Sequence, residues 1–417
     1  MTSPNSYDVI IAGGGPAGAS AAIELASNGA RVLLVEEKKF PRAKLCGEFI
    51  SPECLTHFKR LGVLDQMTSA GGTALSETVF YSRRGHSVAV PSEWFGSGAT
   101  ALGLSRSEMD RRLLDRAKAA GVLVLENSHA SGLIREYGSV QGIRLKTVEG
   151  VDEYSSLVTI DATGRARALA RHMDHHVEKR GLKRKKKTKP PFVAFKAHLE
   201  NARVADGACE IYFYSGGYGG LSGVEGGASN LCFIVSADDV RRHGSDPEVV
   251  MREVVMKNAR ANHTLAQARA RTQWLSVALD SFGPRTLTPA GGLLTIGDAA
   301  AFIDPFTGSG MLMALESGQL AAEIVSRHLP RLRQGGRSEA PEFETKGFEI
   351  FAEDYRTEYS RRFNSRLRLS GLLRRAAFVP RLAETAMLLF GINARLRRRL
   401  ARATRHAMSR EVRASPG

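Results

Sequence analysis

The sequence predicts an α/β protein in which a Rossmann-like parallel sheet is interleaved with a second, antiparallel sheet and followed by a helical C-terminal tail. Three observations carry this reading. Tyr7–Glu36 has the strand, glycine turn, small-residue helix and strand of a βαβ start. Apolar strands ending in glycine turns return at 157–164 and 292–300, as later members of one sheet would. Between these returns lie alternating runs arranged as hairpins, which a parallel sheet does not accommodate. At 417 residues the chain is longer than one ordinary core, in keeping with a composite body.

The opening unit reads as a buried strand from Asp8 to Ala12, a helix from about Pro16 to Ser27 and a strand from Arg31 to Glu36. Gly13 permits the tight turn, Gly15 lets backbone approach a pyrophosphate, and Gly18 lets helix and strand pack closely. The phosphates would meet free N–H groups at a helix N-terminus. Glu36, at the end of the second strand, is placed to accept hydrogen bonds from a ribose diol. Taken alone, the stretch leaves NAD, NADP and FAD open.

A polar, glycine-broken loop (37–49) follows, then a helix from Ser51 or Pro52 toward Leu61. Thr78–Tyr81 and Ser87–Val90 form a hairpin around Arg84-Gly85. Ser105 and Glu108 form a capping box for a helix whose apolar face is Met109, Leu113, Leu114 and Ala117. A strand Val122–Leu125, a hairpin of Leu133–Tyr137 with Val140–Lys146, and the buried strand at 157–164 come next. The basic stretch 165–191 reads as a mobile surface loop. Strands Val193–Leu199, Glu210–Tyr214 and Leu231–Val235 extend the antiparallel sheet, with helices at about Pro247–Asn258 and Thr264–Ala270. A long helix runs from near Gly308 to about His328, and the arginine-rich remainder is helical. This gives a nucleotide-binding domain from 1–75, 100–175 and 284–330, a substrate domain from 76–99 and 190–283, and a basic tail over 331–417.

Hydrophobic content of 43% with 24% charged and 7% aromatic residues excludes a disordered chain. Four cysteines without CxxC spacing indicate neither a disulfide framework nor a zinc site. MTSPNSYDV carries no basic and apolar leader, and no apolar run approaches the roughly 20 residues of a bilayer span. A cytoplasmic location is expected, with a peripheral position on the inner face of the cell membrane left open. The net charge of +16 speaks of an anionic partner, whether nucleic acid, an acidic ligand or an anionic membrane face, and the location of the charge decides among them. Between Phe378 and Met408, arginines flank Met387, Leu388, Leu389, Phe390, Ile392, Leu396 and Leu400. This basic amphipathic pattern suits either an anionic membrane surface or a helix packed on the core with a solvated face. No motif for specific nucleic-acid binding accompanies the charge.

The glycine turn, the Arg106 helix, Asp161-Ala162-Thr163-Gly164, and Gly297-Asp298 followed by Asp304-Pro305-Phe306-Thr307-Gly308-Ser309-Gly310 together resemble FAD-dependent oxidoreductases of the aromatic-hydroxylase fold. Pro41-Arg42-x-Lys44-x-Cys46-Gly47 and the IDPFTGSGM segment look most like the geranylgeranyl reductase group, with kinship to electron-transfer-flavoprotein dehydrogenases and flavin halogenases. The resemblance spans residues 7 to about 330. Beyond Gly13, Gly15 and Gly18, it implies FAD contacts at Ala17, Glu36, Cys46, Gly47, Arg106, Ala130, Asp298, Gly310 and Met311. Asp298 can accept hydrogen bonds from ribityl hydroxyls, and the helix start at Gly308 and Gly310 can favour an anionic reduced ring. A cation at a helix N-terminus is unfavourable, so a phosphate beside Arg106 would relieve the conflict. The resemblance runs the Cys46 loop beside the isoalloxazine. Cys46 is then either a contact for FAD or substrate or a small packed residue, with no catalytic step assigned and no other catalytic residue named.

Departures narrow the function. Geranylgeranyl reductases carry a YxWxFP segment where this chain has Gly217-Tyr218-Gly219-Gly220-Leu221-Ser222-Gly223-Val224-Glu225-Gly226-Gly227. Flavin halogenases need a WxWxIP segment, whereas Trp94 and Trp274 stand alone. No second Rossmann fingerprint exists, so NAD(P)H would bind transiently or a protein donor would supply electrons. The expectation is hydride transfer at flavin N5 to or from a double bond of an isoprenoid, quinone, lipid or polyketide-like substrate. A monooxygenase using a flavin C4a-hydroperoxide and a non-catalytic flavin-containing membrane-binding protein are the alternatives. His172, His175 and His176 are not read as a metal site, and Tyr212, Tyr214 and Tyr218 are candidates for the cavity wall or the core.

Overall fold

In the computed structural model the chain is described over residues 5–95, 99–136, 138–146, 150–173, 191–279, 282–335, 341–377, 387 and 393–403. The parallel sheet runs in the order Leu123–Leu125, Val32–Val35, Ser6–Ala12, Val151–Asp161, and Leu293–Thr295 pairs with the far side of the last. Val9, Ile10, Ile11, Leu33 and Leu34 are fully buried, as strands covered on both faces must be. The strand expected near 157 begins at Val151. Its first half pairs antiparallel with Ser139–Lys146, which pairs in turn with His129–Glu136, so this hairpin extends the parallel sheet.

Helix Pro16–Ser27 lies against helix Gly310–Gly335 over one face of this sheet. The approach is close because a Cβ on Gly318 would stand 2.4 Å from the Ala17 carbonyl oxygen. Helix Pro341–Ala377 packs outside it through Phe348, Phe351, Tyr355, Tyr359 and Phe363, and the Tyr355 hydroxyl donates to the Thr295 carbonyl at 2.8 Å.

The second sheet has the order Arg269–Ala270, Phe192–Glu200, Ser229–Ser236, Gly217–Gly223, Ala208–Tyr214, Glu77–Tyr81, Ser87–Pro91, with Leu275–Leu279 also on Phe192–Glu200. Its pairings are antiparallel except Ala208–Tyr214 with Glu77–Tyr81. One face is covered by helices Ala237–Arg242, Pro247–Glu253 and Ala259–Leu265 over Phe195, Tyr212, Tyr214 and Phe233. The helix expected at Thr264–Ala270 is therefore displaced. Buried Asn258 caps an earlier helix through Arg260 and Ala261 N–H, and Arg269–Ala270 becomes an edge strand. The helix from Pro247 likewise stops at Glu253, before a 3₁₀ turn at Val255–Lys257. A three-stranded sheet of Phe49–Ile50, Ala101–Gly103 and Thr73–Leu75, absent from the sequence expectation, joins the two bodies. There a Cβ on Gly103 would fall 2.0 Å from the Gly223 carbonyl oxygen.

Helix Ala394–Ala403 lies across the 3₁₀ turn Ser92–Phe95, with Ala401 buried beside Val90 and Phe95. Arg395, Arg398, Arg399 and Arg402 are exposed. Among the described residues no helix is long and apolar enough to cross a membrane. The basic run Lys183–Lys189, and His175, His176, Phe378, Arg381, Leu388, Leu389, Phe390, Ile392 and Arg405, lie outside the described residues, as do the side chains of Leu396 and Leu400.

Candidate active site

The glycine turn is set by steric exclusion. Gly13 has φ +108°, and a Cβ there would meet the Ala162 carbonyl oxygen at 2.4 Å. A Cβ on Gly18 would overlap the Gly13 carbonyl oxygen at 1.9 Å, so Gly18 packs helix on strand and does not line the cavity. At Gly15 a Cβ would point into open space, with the Arg106 guanidinium nearest at 3.8 Å. That opening is where backbone can approach a ligand.

From this turn a cavity of about 660 Å³ extends between the two sheets. Gly13, Gly15, Ala17, Glu36, Cys46, Gly47, Arg106, Ala130, Asp298, Gly310 and Met311 all line it. The Glu36 carboxylate accepts from Gly14 N–H at 2.8 Å and from Lys38 N–H at 3.0 Å, and Arg42 stands 3.6 Å away. The turn is thereby tied to the end of the second strand.

Arg106 differs from its sequence reading. Its guanidinium pairs with the buried Asp110 carboxylate at 2.8 and 2.7 Å, one helical turn on. Burial opposes the charge, but Asp110 more than offsets it and raises the guanidinium pKa above the arginine norm. Asp110 thus offsets the guanidinium charge at this helix start from within the protein. The capping box is half formed: Ser105 Oγ accepts from Glu108 N–H, while Glu108 turns to Arg111 and Arg112, and Ser105 N–H donates to Glu225 at 2.9 Å.

The loop carrying Cys46 and Gly47 is anchored by Glu48, which the sequence reading missed. Glu48 is fully buried with φ +53°. One carboxylate oxygen accepts from Lys196 Nζ at 2.6 Å and Arg106 N–H at 2.8 Å, and the other lies 2.6 Å from His198 Nε2. Burial alone would push this carboxyl up, yet His198 and Lys196 together hold it below the ordinary glutamate value. Asn230 Nδ2 adds a hydrogen bond to the Cys46 carbonyl at 3.1 Å. The available signal was Lys196-x-His198, two polar residues at strand spacing within an otherwise apolar strand.

Asp298 sits in the 3₁₀ turn Gly297–Ala299 after strand Leu293–Thr295. Burial pushes its carboxyl up, and Arg165, Arg106, Lys44 and Arg285 pull it back in part. No hydrogen-bond donor among the described residues reaches it. Asp304 caps the next 3₁₀ turn, accepting from Phe306 N–H at 2.9 Å and from the Tyr218 hydroxyl at 2.7 Å. Burial and then Asp304 push the Tyr218 hydroxyl pKa well up, so it stays protonated. Of the three candidate tyrosines only Tyr218 lines the cavity; Tyr212 bonds Glu210 and Tyr214 bonds the Ile234 carbonyl on the helix-covered side.

Past Tyr218 the walls become apolar: Phe80, Val88, Phe213, Ile234, Leu279, Phe302 and Phe306, with Leu373, Met387, Arg397 and Ala401 from the C-terminal helices. Phe306 is the hub, its ring centroid 5.5 Å from both Phe213 and Tyr218 and 5.9 Å from Phe80. Gly220, where the resemblance led to an aromatic segment, also faces this space. Among the described residues no cluster of three metal-ligating side chains occurs.

These residues fit FAD. The open face at Gly15, the unpartnered Asp298 carboxylate and the first N–H groups of the helix at Gly310 and Met311 share one cavity, offering phosphate, ribityl and ring contacts respectively. The chain matches the FAD-binding-domain family over residues 6–326. It is 27% identical over 324 residues to a digeranylgeranylglycerophospholipid reductase of Methanosarcina mazei, covering 76% of this chain and 75% of the relative. It is 28% identical over 347 residues to a menaquinone reductase of Mycobacterium tuberculosis, covering 80% of each. Among solved structures, a flavin-dependent brominase aligns with TM-score 0.74 at 21% identity over 95% of this chain and 94% of that one. A geranylgeranyl bacteriochlorophyll reductase-like protein of Thermoplasma acidophilum aligns with TM-score 0.71 at 21% identity over 90% and 88%. At such identities the solved structures establish the fold alone. The chain belongs to the FAD-binding-domain family and is an FAD-dependent oxidoreductase of the geranylgeranyl reductase-like group.

Proposed function

We propose that this enzyme reduces a carbon–carbon double bond of an elongated apolar substrate by hydride transfer, or forms one in the reverse direction. The observation that carries the reading is the single cavity, polar at the glycine turn and walled by aromatic and aliphatic side chains at the other end. Bound FAD supplies hydride chemistry. The chain's part is to hold an apolar body against Phe213, Phe306 and Ile234, and to exclude water with Leu373, Met387 and Ala401. In the reducing direction one carbon receives hydride and its neighbour a proton. The Tyr218 hydroxyl already donates to Asp304, which makes Tyr218 a wall residue here.

The substrates named in the relatives, a menaquinone and a digeranylgeranylglycerophospholipid, are the first compounds to test. Photoreduced protein mixed with each under strict anaerobiosis is expected to reoxidise and yield a product with one chain double bond saturated, a gain of two hydrogens that for the menaquinone persists after air has returned any quinol to the quinone. A product that forms only with oxygen and gains an oxygen atom would overturn the reading. Electrons are proposed to reach the site from transiently bound NAD(P)H or from a protein donor. Arg395, Arg398, Arg399 and Arg402 are exposed on this short helix, which supports its docking on an anionic membrane surface at the cytoplasmic side.

A further inference from the structure

The apolar end of the cavity holds a cation that no carboxylate among the described residues pairs with. Arg397 enters it from helix Ala394–Ala403; of the other lining cations, Arg42 and Arg106 are tied to Glu36 and Asp110 at the nucleotide end, and Arg165 lies over the Phe302 ring, 5.2 Å from its centroid. Its guanidinium carbon is 5.8 Å from the Trp94 ring centroid. Its Nε is buried without a hydrogen-bond partner, and no described carboxylate pairs with it. Val90, Phe95 and Ala401 make the surrounding wall apolar. Outward-facing arginines on the same helix keep their hydration, but Arg397 has exchanged part of its own for an aromatic face and an unmet donor. A guanidinium in such surroundings selects an oxyanion, which can meet its Nε and Nη donors together.

We propose that Arg397 is the head-group site of the cavity, and that the substrate is an amphiphile whose anionic head, a carboxylate or a phosphate ester, pairs with it. This rests on the reading of the cavity as an apolar substrate site, and it adds an orientation. The head lies under the C-terminal helix and the apolar body points toward the nucleotide end.

The test is calorimetric titration of the FAD-loaded protein with dodecanoate, dodecyl phosphate and dodecanol. At least one anion should bind tighter than the alcohol by about tenfold or more, and the better anion identifies the head group. Arg397→Gln should abolish that preference, Arg397→Lys should keep part of it, and Arg398→Gln should leave it intact. Equal binding of all three, or a preference that survives Arg397→Gln, would overturn the assignment while dodecanol binding upholds the apolar cavity. Should none bind, or should binding be indifferent to Gly220→Phe, both readings fall. A measurement independent of any variant is phenylglyoxal modification read by mass spectrometry. Protection of Arg397 by dodecanoate or dodecyl phosphate beyond that given by dodecanol supports the site, and equal labelling in all samples refutes it.

Discussion

The two ends of the cavity are built on different principles. At the nucleotide end the shape is imposed by backbone: Gly13 has no room for a Cβ beside the Ala162 carbonyl of the neighbouring strand, Gly18 has none beside the Gly13 carbonyl, and Glu36 closes the turn onto Gly14. At the apolar end the shape is made by side chains from distant segments: Val88, Phe213, Ile234, Phe306 and Met387. The contrast teaches that cofactor recognition in this fold is a local steric code. Substrate recognition is an assembly that one substitution can resize without disturbing the cofactor.

Gly18→Val should break the first principle most severely. A Cβ at 1.9 Å from a backbone oxygen forces helix Pro16–Ser27 off its strand, a loss of about 3 kcal/mol or more. The variant is expected as largely apoprotein, with FAD content and melting temperature as readouts. Next is the seam between the ends. Lys196→Met leaves the buried Glu48 carboxylate with His198 and Arg106 N–H alone, at a cost of about 3 kcal/mol in denaturant unfolding. Adding Glu48→Gln to it should recover part of that loss.

The same glutamate predicts a pH dependence. Its folded pKa lies below the unfolded one, so its stabilisation is complete above the unfolded carboxyl value of about 4.3 and is lost as pH falls through the lower folded value. Glu48→Gln should therefore flatten the acid limb of the stability profile, and an unchanged limb would show that Glu48 is not held anionic.

Gly220→Phe addresses the second principle. A Cβ there would stand 3.1 Å from Ile211 Cδ1, a side-chain tip able to give, so a stability loss of about 1 kcal/mol is expected. FAD content should stay unchanged while apolar ligands lose affinity. A joint loss of FAD and ligand would mean that the two ends are not separable. The smallest effects concern the outer helix face. Arg395, Arg398, Arg399 and Arg402 changed singly to Gln should each weaken sedimentation with anionic liposomes by about 1 kcal/mol at low salt. Melting temperature should not move.

The sequence by itself determined the nucleotide half, because its signals are short-range. Gly13, Gly15 and Gly18 occupy positions that only glycine satisfies or that must stay open, and the returns at Asp161 and Asp298 follow short, mostly apolar strands. The antiparallel sheet was legible in part from alternation: strands Gly217–Gly223, too rich in glycine to alternate, and Leu275–Leu279 were missed, and its helices at 247–270 were misplaced because Asn258 and the strand edge at Arg269 act through tertiary contacts. The Arg106–Asp110 pair was open to an i,i+4 reading of its helix, but only the tertiary structure decided that Glu48 meets Lys196 and His198 across about 150 residues. It alone turned Arg397 inward from a run of otherwise similar arginines. Charge and periodicity place a residue on a face; which face finds a partner depends on segments that meet only when the chain has folded.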